Sequence, residues 1–141
     1  TNGTMLDLSG DTPRVVDHID TGRLYLDGSV LIGAMDGVVR DRIRMALNGT
    51  AMVSVIVDET DSPFPDAWVE LMGLPEKGRS NTPVAQQIEA ELAEFLEHAD
   101  AKTVADDQKL EEAVKKITRQ VAMEEIGKKP EVTAIISRLA P

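Results

Sequence analysis

The chain contains no cysteine, which excludes disulfides, thiolate metal sites and a cysteine nucleophile. Histidine is almost as scarce: His18 and His98 are the only two, and neither has a metal-ligand neighbour at helical or turn spacing. Aromatic residues make up 3%, so Tyr25, Phe64, Trp68 and Phe95 are the only rings available for stacking on bases. Basic residues are in the minority, 15 Lys and Arg against 25 Asp and Glu, for a net charge of −10. Such a surface repels nucleic acid on average. Apolar runs such as Val30 to Met35 fall far short of the roughly 20 residues that span a bilayer, so no membrane partner is expected. The serines lack a GxSxG context, and the phosphate cradles GxGxxG and GxxxxGK[ST] do not occur. Carboxylates are abundant, but abundance singles out no acid–base pair.

What is present is ordinary for a globular protein. The 141 residues, 42% hydrophobic and 28% charged, suffice for one folded unit with a real core. The start Thr1-Asn2-Gly3 has neither an initiator methionine nor the features of a signal peptide, and the expectation is a cut fragment. Residues 4 to 8 and 14 to 17 read as short strands around the turn-prone Ser9-Gly10-Asp11-Thr12-Pro13. Arg23 to Leu26 reads as another, closed by Asp27-Gly28. These are too short and too poor in apolar partners to make a core. Residues 1–28 are therefore expected to be borrowed strand and linker, the alternative being the first sheet of a self-contained domain, and 29–141 the domain proper.

Within the domain, Val38, Val39, Ile43 and Leu47 suit a helix over Asp36 to Asn48, stopped by Gly49. Ala51 to Val57 predicts a central strand with Val53, Val55 and Val57 on one face. Ala67 to Met72 predicts a second, with Trp68 and Glu70 opposite Ala67, Val69 and Leu71. Thr82-Pro83 supplies a capping hydroxyl and a proline at the first helical position, opening a helix striped by Val84, Ile88, Leu92, Phe95 and Leu96. A second helix is expected from about Ala105 to Ile126, with Leu110, Val114, Ile117 and Val121 inward and Gly127 as its stop. Pro130 breaks the chain before a last strand, Val132 to Leu139. Strand, strand, helix, helix, strand is most economically an α+β fold: a small three-stranded sheet with two helices packed on one face, preceded by short linker strands.

The dense basic feature is Arg40-Asp41-Arg42-Ile43-Arg44. Guanidinium forks suit phosphates; equally, Asp41 and nearby acids can pair with them. Lys128-Lys129 is a second basic spot, at a helix end where lysines commonly cap carbonyls. The five acids from Glu89 to Asp100, without a basic residue among them, should not face RNA.

Taken in order, Asn2-Gly3, Gly22 to Gly28, Val39-Arg40-Asp41-Arg42, Asn48-Gly49-Thr50 before a valine-rich strand, and Gly127-Lys128-Lys129-Pro130 before a final strand resemble the C-terminal part of ribonuclease J. The linker from Asp27 to Gly37 keeps only part of that family's glycine pattern. The resemblance implies a piece of a cytoplasmic RNA-degrading and RNA-processing hydrolase, a 5′-exonuclease and endonuclease of the metallo-β-lactamase fold with an inserted β-CASP domain. In that family two zinc ions serve catalysis in a domain absent from this chain. The HxHxDH motif has no counterpart here, so no catalytic or metal residue carries over.

Two roles follow as expectations. One is a non-catalytic accessory domain that supports oligomerisation and full activity, with its own catalytic domain and other subunits as partners. The other is direct RNA binding through Arg40, Arg42 and Arg44, extended by Lys128 and Lys129, or use of those residues as interdomain contacts. An unrelated small interaction domain, or a small stand-alone enzyme or ligand-binding domain, is the remaining alternative.

Overall fold

In the computed structural model, residues 1–34 and 36–140 are described; Met35, in the linker, lies outside them. The valine alternation at 51–57 generates the centre of the fold. β5 (Thr50–Val57) is flanked by β6 (Trp68–Met72), antiparallel to it, and β7 (Glu131–Arg138), parallel to it, in the order β6-β5-β7. The register sets Val53 opposite both Val69 and Ala134, and Ser54 opposite Trp68 and Ile135. A parallel pair needs a crossover connection, and the helices supply it.

α2 (Val84–His98) packs on β6 and α4 (Asp107–Ile126) on β7, on the same face. Ala51, Val53, Val55, Val57, Val69 and Val132 meet Val84, Ile88, Leu92 and Leu96 of α2 and Leu110, Val114 and Val121 of α4 in one core. The fold is therefore α+β, a three-stranded sheet with two main helices on one face, as the pattern implies. Thr118 is the buried polar residue of this layer, and its hydroxyl donates to the Val114 carbonyl at 2.8 Å.

Three local expectations are corrected. α2 begins at Val84 with Pro83 as its N-cap, and no side chain caps it. Instead of a Thr82 hydroxyl, the Gln87 amide reaches back to the Thr82 carbonyl and to Ser80 Oγ. The helix expected from about Ala105 starts at Asp107 as α4, and a single turn that the pattern did not signal, α3 (Ala101–Val104), precedes it. Asp100 and Asp106 each accept two backbone N–H bonds at their helix starts, and consecutive caps separate the helices. The last strand begins one residue earlier than expected and ends at Arg138.

The chain divides into two compact units, Thr1–Arg42 and Ile43–Pro141. In the first, β1 (Thr4–Asp7) and β2 (Arg14–His18) form the expected hairpin. β3 (Leu24–Asp27) turns at Gly28, φ +62°, into an unanticipated partner, β4 (Val30–Gly33). α1 (Gly37–Asn48) ends at Gly49, φ +72°. Its apolar stripe exists but is exposed, Leu47 to 65%, and no described residue from 1 to 48 is buried. The spacing suffices for a helix; the burial it implies is not found among the described residues.

Candidate functional site

The arginines at 40, 42 and 44 alternate around α1, since two residues advance a helix by about 200°. Arg42 grips Asp27 with both arms of its fork, Nη1 to Oδ1 and Nη2 to Oδ2 each 2.9 Å. The partner is thus the carboxylate ending β3 rather than the adjacent Asp41. The Arg42 hydrogen bond holds the Asp27 carboxyl below its ordinary range, and Asp27 in turn raises the guanidinium. Arg40 also has an interaction partner. Arg44 is exposed.

Lys128 and Lys129 diverge. Lys128 Nζ donates to the Leu47 carbonyl at 3.0 Å, placing its charge on the unsatisfied end of α1. Lys129 instead lines an open groove of about 450 Å³ along α4, together with Lys115, Lys116, Arg119, Gln120, Met123 and Glu112. Lys115 is paired with Glu111, and Arg119 Nε lies 3.4 Å from the Pro130 carbonyl. Lys116 and Lys129 have no ion pair among the described residues. Of the cations that sequence reading singled out, only Lys129 lies in this groove. Its companions lie at 115, 116 and 119, a one-turn spacing that signals a shared helix side; that Lys129 joins them depends on the Gly127 turn.

The histidines are engaged locally. His98 Nδ1 is 2.9 Å from the Glu94 carbonyl, and His18 Nδ1 is 3.5 Å from Thr4 Oγ1. Among the described residues there is no group of three His, Asp or Glu able to hold a metal ion, and no helix is long and apolar enough to cross a membrane.

The helix-free face of the sheet is its other candidate surface. β5, β6 and β7 alternate, so the residues between the core positions point the opposite way. Met52, Ile56, Trp68, Met72 and Ile135 are all exposed there, Trp68 to 52% and Met72 to 57%. The free edge of β6 is blunted: the Glu89 carboxylate accepts the Val69 N–H at 3.1 Å.

The model of the ribonuclease J C-terminal domain family matches residues 37–139. A protein named ribonuclease J from Sinorhizobium meliloti (strain Sm2011 / Rm2011 / 2011) is 29% identical over 141 residues, covering 98% of this chain and 24% of that protein. The chain thus spans about a quarter of the length of the curated relative it matches. With the family model extending over most of the chain, from α1 to the end of β7, this protein belongs to the ribonuclease J C-terminal domain family.

Proposed function

We propose that this chain is the non-catalytic accessory domain of an RNA-degrading and RNA-processing enzyme of the ribonuclease J kind, and that it holds the enzyme's subunits together. The exposed apolar sheet face carries the reading. A three-stranded sheet with Met52, Ile56, Trp68, Met72 and Ile135 in solvent, interspersed with Ser54, Glu70 and Thr133, presents an apolar-rich surface of the kind that marks a protein contact, and its self-complementary occupant is the same face of a second subunit. In this reading 1–28 are trailing strand and linker of the catalytic domain and 29–141 the accessory domain. RNA turnover, by 5′-exonuclease and endonuclease action with two zinc ions, belongs in this reading to the cytoplasmic parent's metallo-β-lactamase and β-CASP domains.

The test is mass measurement and RNA turnover of a parent enzyme with and without residues 29–141, and with Trp68→Glu. Loss of the oligomer and reduced turnover are expected in both variants. Unchanged mass and turnover in the deletion would remove the proposal. Trp68 is the single tryptophan, so its fluorescence reports cover directly: emission should move to shorter wavelength as subunits associate.

A further inference from the structure

A chain of net charge −10 gathers four cations, Lys115, Lys116, Arg119 and Lys129, around one groove whose only carboxylate is Glu112. Elsewhere Arg14 is paired with Asp7, Arg42 with Asp27, Lys109 with Asp106, and Arg138 with Asp61 and Asp107. In the groove Lys115 is paired with Glu111, whereas Lys116 and Lys129 carry no ion pair among the described residues. Met123 and Gln120 line the groove with them. We infer that this groove binds the phosphate backbone of single-stranded RNA.

The chemistry favours that occupant in three respects. The cations approach from two segments, α4 and the turn after Gly127, so they follow a track and can neutralise consecutive phosphates. Met123 and the lysine and arginine stems are among the lining and offer apolar surface on which a base can rest without a ring to stack on. The Gln120 amide adds a donor and an acceptor at the same level. A groove of about 450 Å³ has room for a nucleotide or two, so the class is an unpaired strand held by its backbone, without sequence readout. The acidic α2 surface, with Glu91, Glu94 and Glu97 exposed, repels the strand on the neighbouring helix and confines it to this side. The inference rests on the reading that the parent acts on RNA, but not on subunit association.

The experiment is fluorescence anisotropy of a 5′-labelled twelve-nucleotide oligouridylate titrated with the whole 141-residue chain. For three to four neutralised phosphates on a single strand, binding should weaken on the order of a hundredfold between 20 and 150 mM salt. Lys116→Glu with Lys129→Glu should cost at least about tenfold at low salt and flatten the salt slope by about 1.4. Lys77→Glu with Lys102→Glu, an equal change in net charge at exposed positions outside the groove, should leave the slope in place. Circular dichroism melting of each variant separates lost binding from lost fold, and Lys116→Gln with Lys129→Gln repeats the test without added repulsion. No binding at low salt overturns the inference, as does equal loss in both charge-reversed pairs. A dodecaglutamate peptide that binds as tightly as the oligonucleotide would reassign the groove to an acidic polypeptide and overturn it too. If the accessory reading fails while oligouridylate still binds through Lys116 and Lys129, the two ideas separate cleanly.

Discussion

Gly49 and Gly127 end helices in the same left-handed conformation, with φ of +72° and +65°, yet they are held there by different constraints. A Cβ at Gly127 would meet nothing within 4 Å, so alanine there pays only the conformational cost, about 1 kcal/mol. At Gly49 the same atom would fall 2.6 Å from Leu74 Cγ and 2.9 Å from the Gly73 carbonyl oxygen. One of these is backbone, so relief requires moving the loop after β6 as well as a side chain. Gly49→Ala should therefore cost about 2–4 kcal/mol, the sum of conformational strain and overpacking. Urea unfolding of the two variants side by side checks the difference, and equal losses would mean that the loop yields freely. Sequence reading identified both glycines as helix stops from position alone. That Gly49 is also a packing contact was invisible, because Leu74 lies twenty-five residues away and no local pattern ties the two.

Elements in this chain are positioned by carboxylates. Asp58 ties the β5–β6 connection by accepting from Thr60 and Ser62, Asp100 and Asp106 cap α3 and α4, and Glu125 holds Ser80 through its backbone N–H and hydroxyl, both at 3.0 Å. Hydrogen bonds lower each of these acids from its ordinary value: from Ser62 for Asp58, Thr103 for Asp100, Lys109 for Asp106 and Ser80 for Glu125. A carboxyl whose folded pKa is depressed stabilises the fold fully above its unfolded value, near 4, and that contribution is lost as pH falls through the lower folded value. The melting temperature should stay level from pH 7 to about 5 and drop steeply below about 4. Asp106→Asn keeps a capping acceptor without a titrating group, so its curve should fall less steeply in acid; an unchanged acid limb would place the sensitivity elsewhere. These same acids mark where sequence reading was weakest. Periodicity gave the buried stripes of β5, α2 and α4, because alternation and one-turn spacing are local. It missed α3 and began α4 two residues early, since Asp100 and Asp106 read equally as solvated charge until the chain is seen to turn there. The Arg138 clasp, with Nε 2.8 Å from Asp107 and Nη1 2.6 Å from Asp61, and the groove joining Lys129 to α4 were illegible for the same reason: their members meet only through the packed sheet and helices.

At the scale of the whole molecule, the two compact units differ in what stabilises them. The core lies entirely in the second, where Val53, Val55, Val57, Ile88, Leu92, Leu110 and Val114 are fully enclosed. The first offers hairpins whose apolar residues, among them Leu24, Leu26 and Leu31, remain largely in solvent. Hairpins without a buried face are marginal on their own, so global stability should be indifferent to them. Removing residues 1–36, which precede α1, is expected to leave the unfolding midpoint of the remainder almost unchanged. Leu92→Ala, which empties a site between sheet and helices, should cost about 2–5 kcal/mol. Hydrogen exchange of the intact chain provides the independent reading: amides of β5, α2 and α4 should exchange only through global unfolding and slow together, while those of β1 to β4 exchange near the unprotected rate. Subunit association through the sheet face should add protection around Met52, Trp68 and Ile135 and leave the hairpins as they were, whereas attachment to a catalytic domain through residues 1–28 should do the reverse. The location of the newly protected amides thus distinguishes the two contacts in one measurement on the parent enzyme.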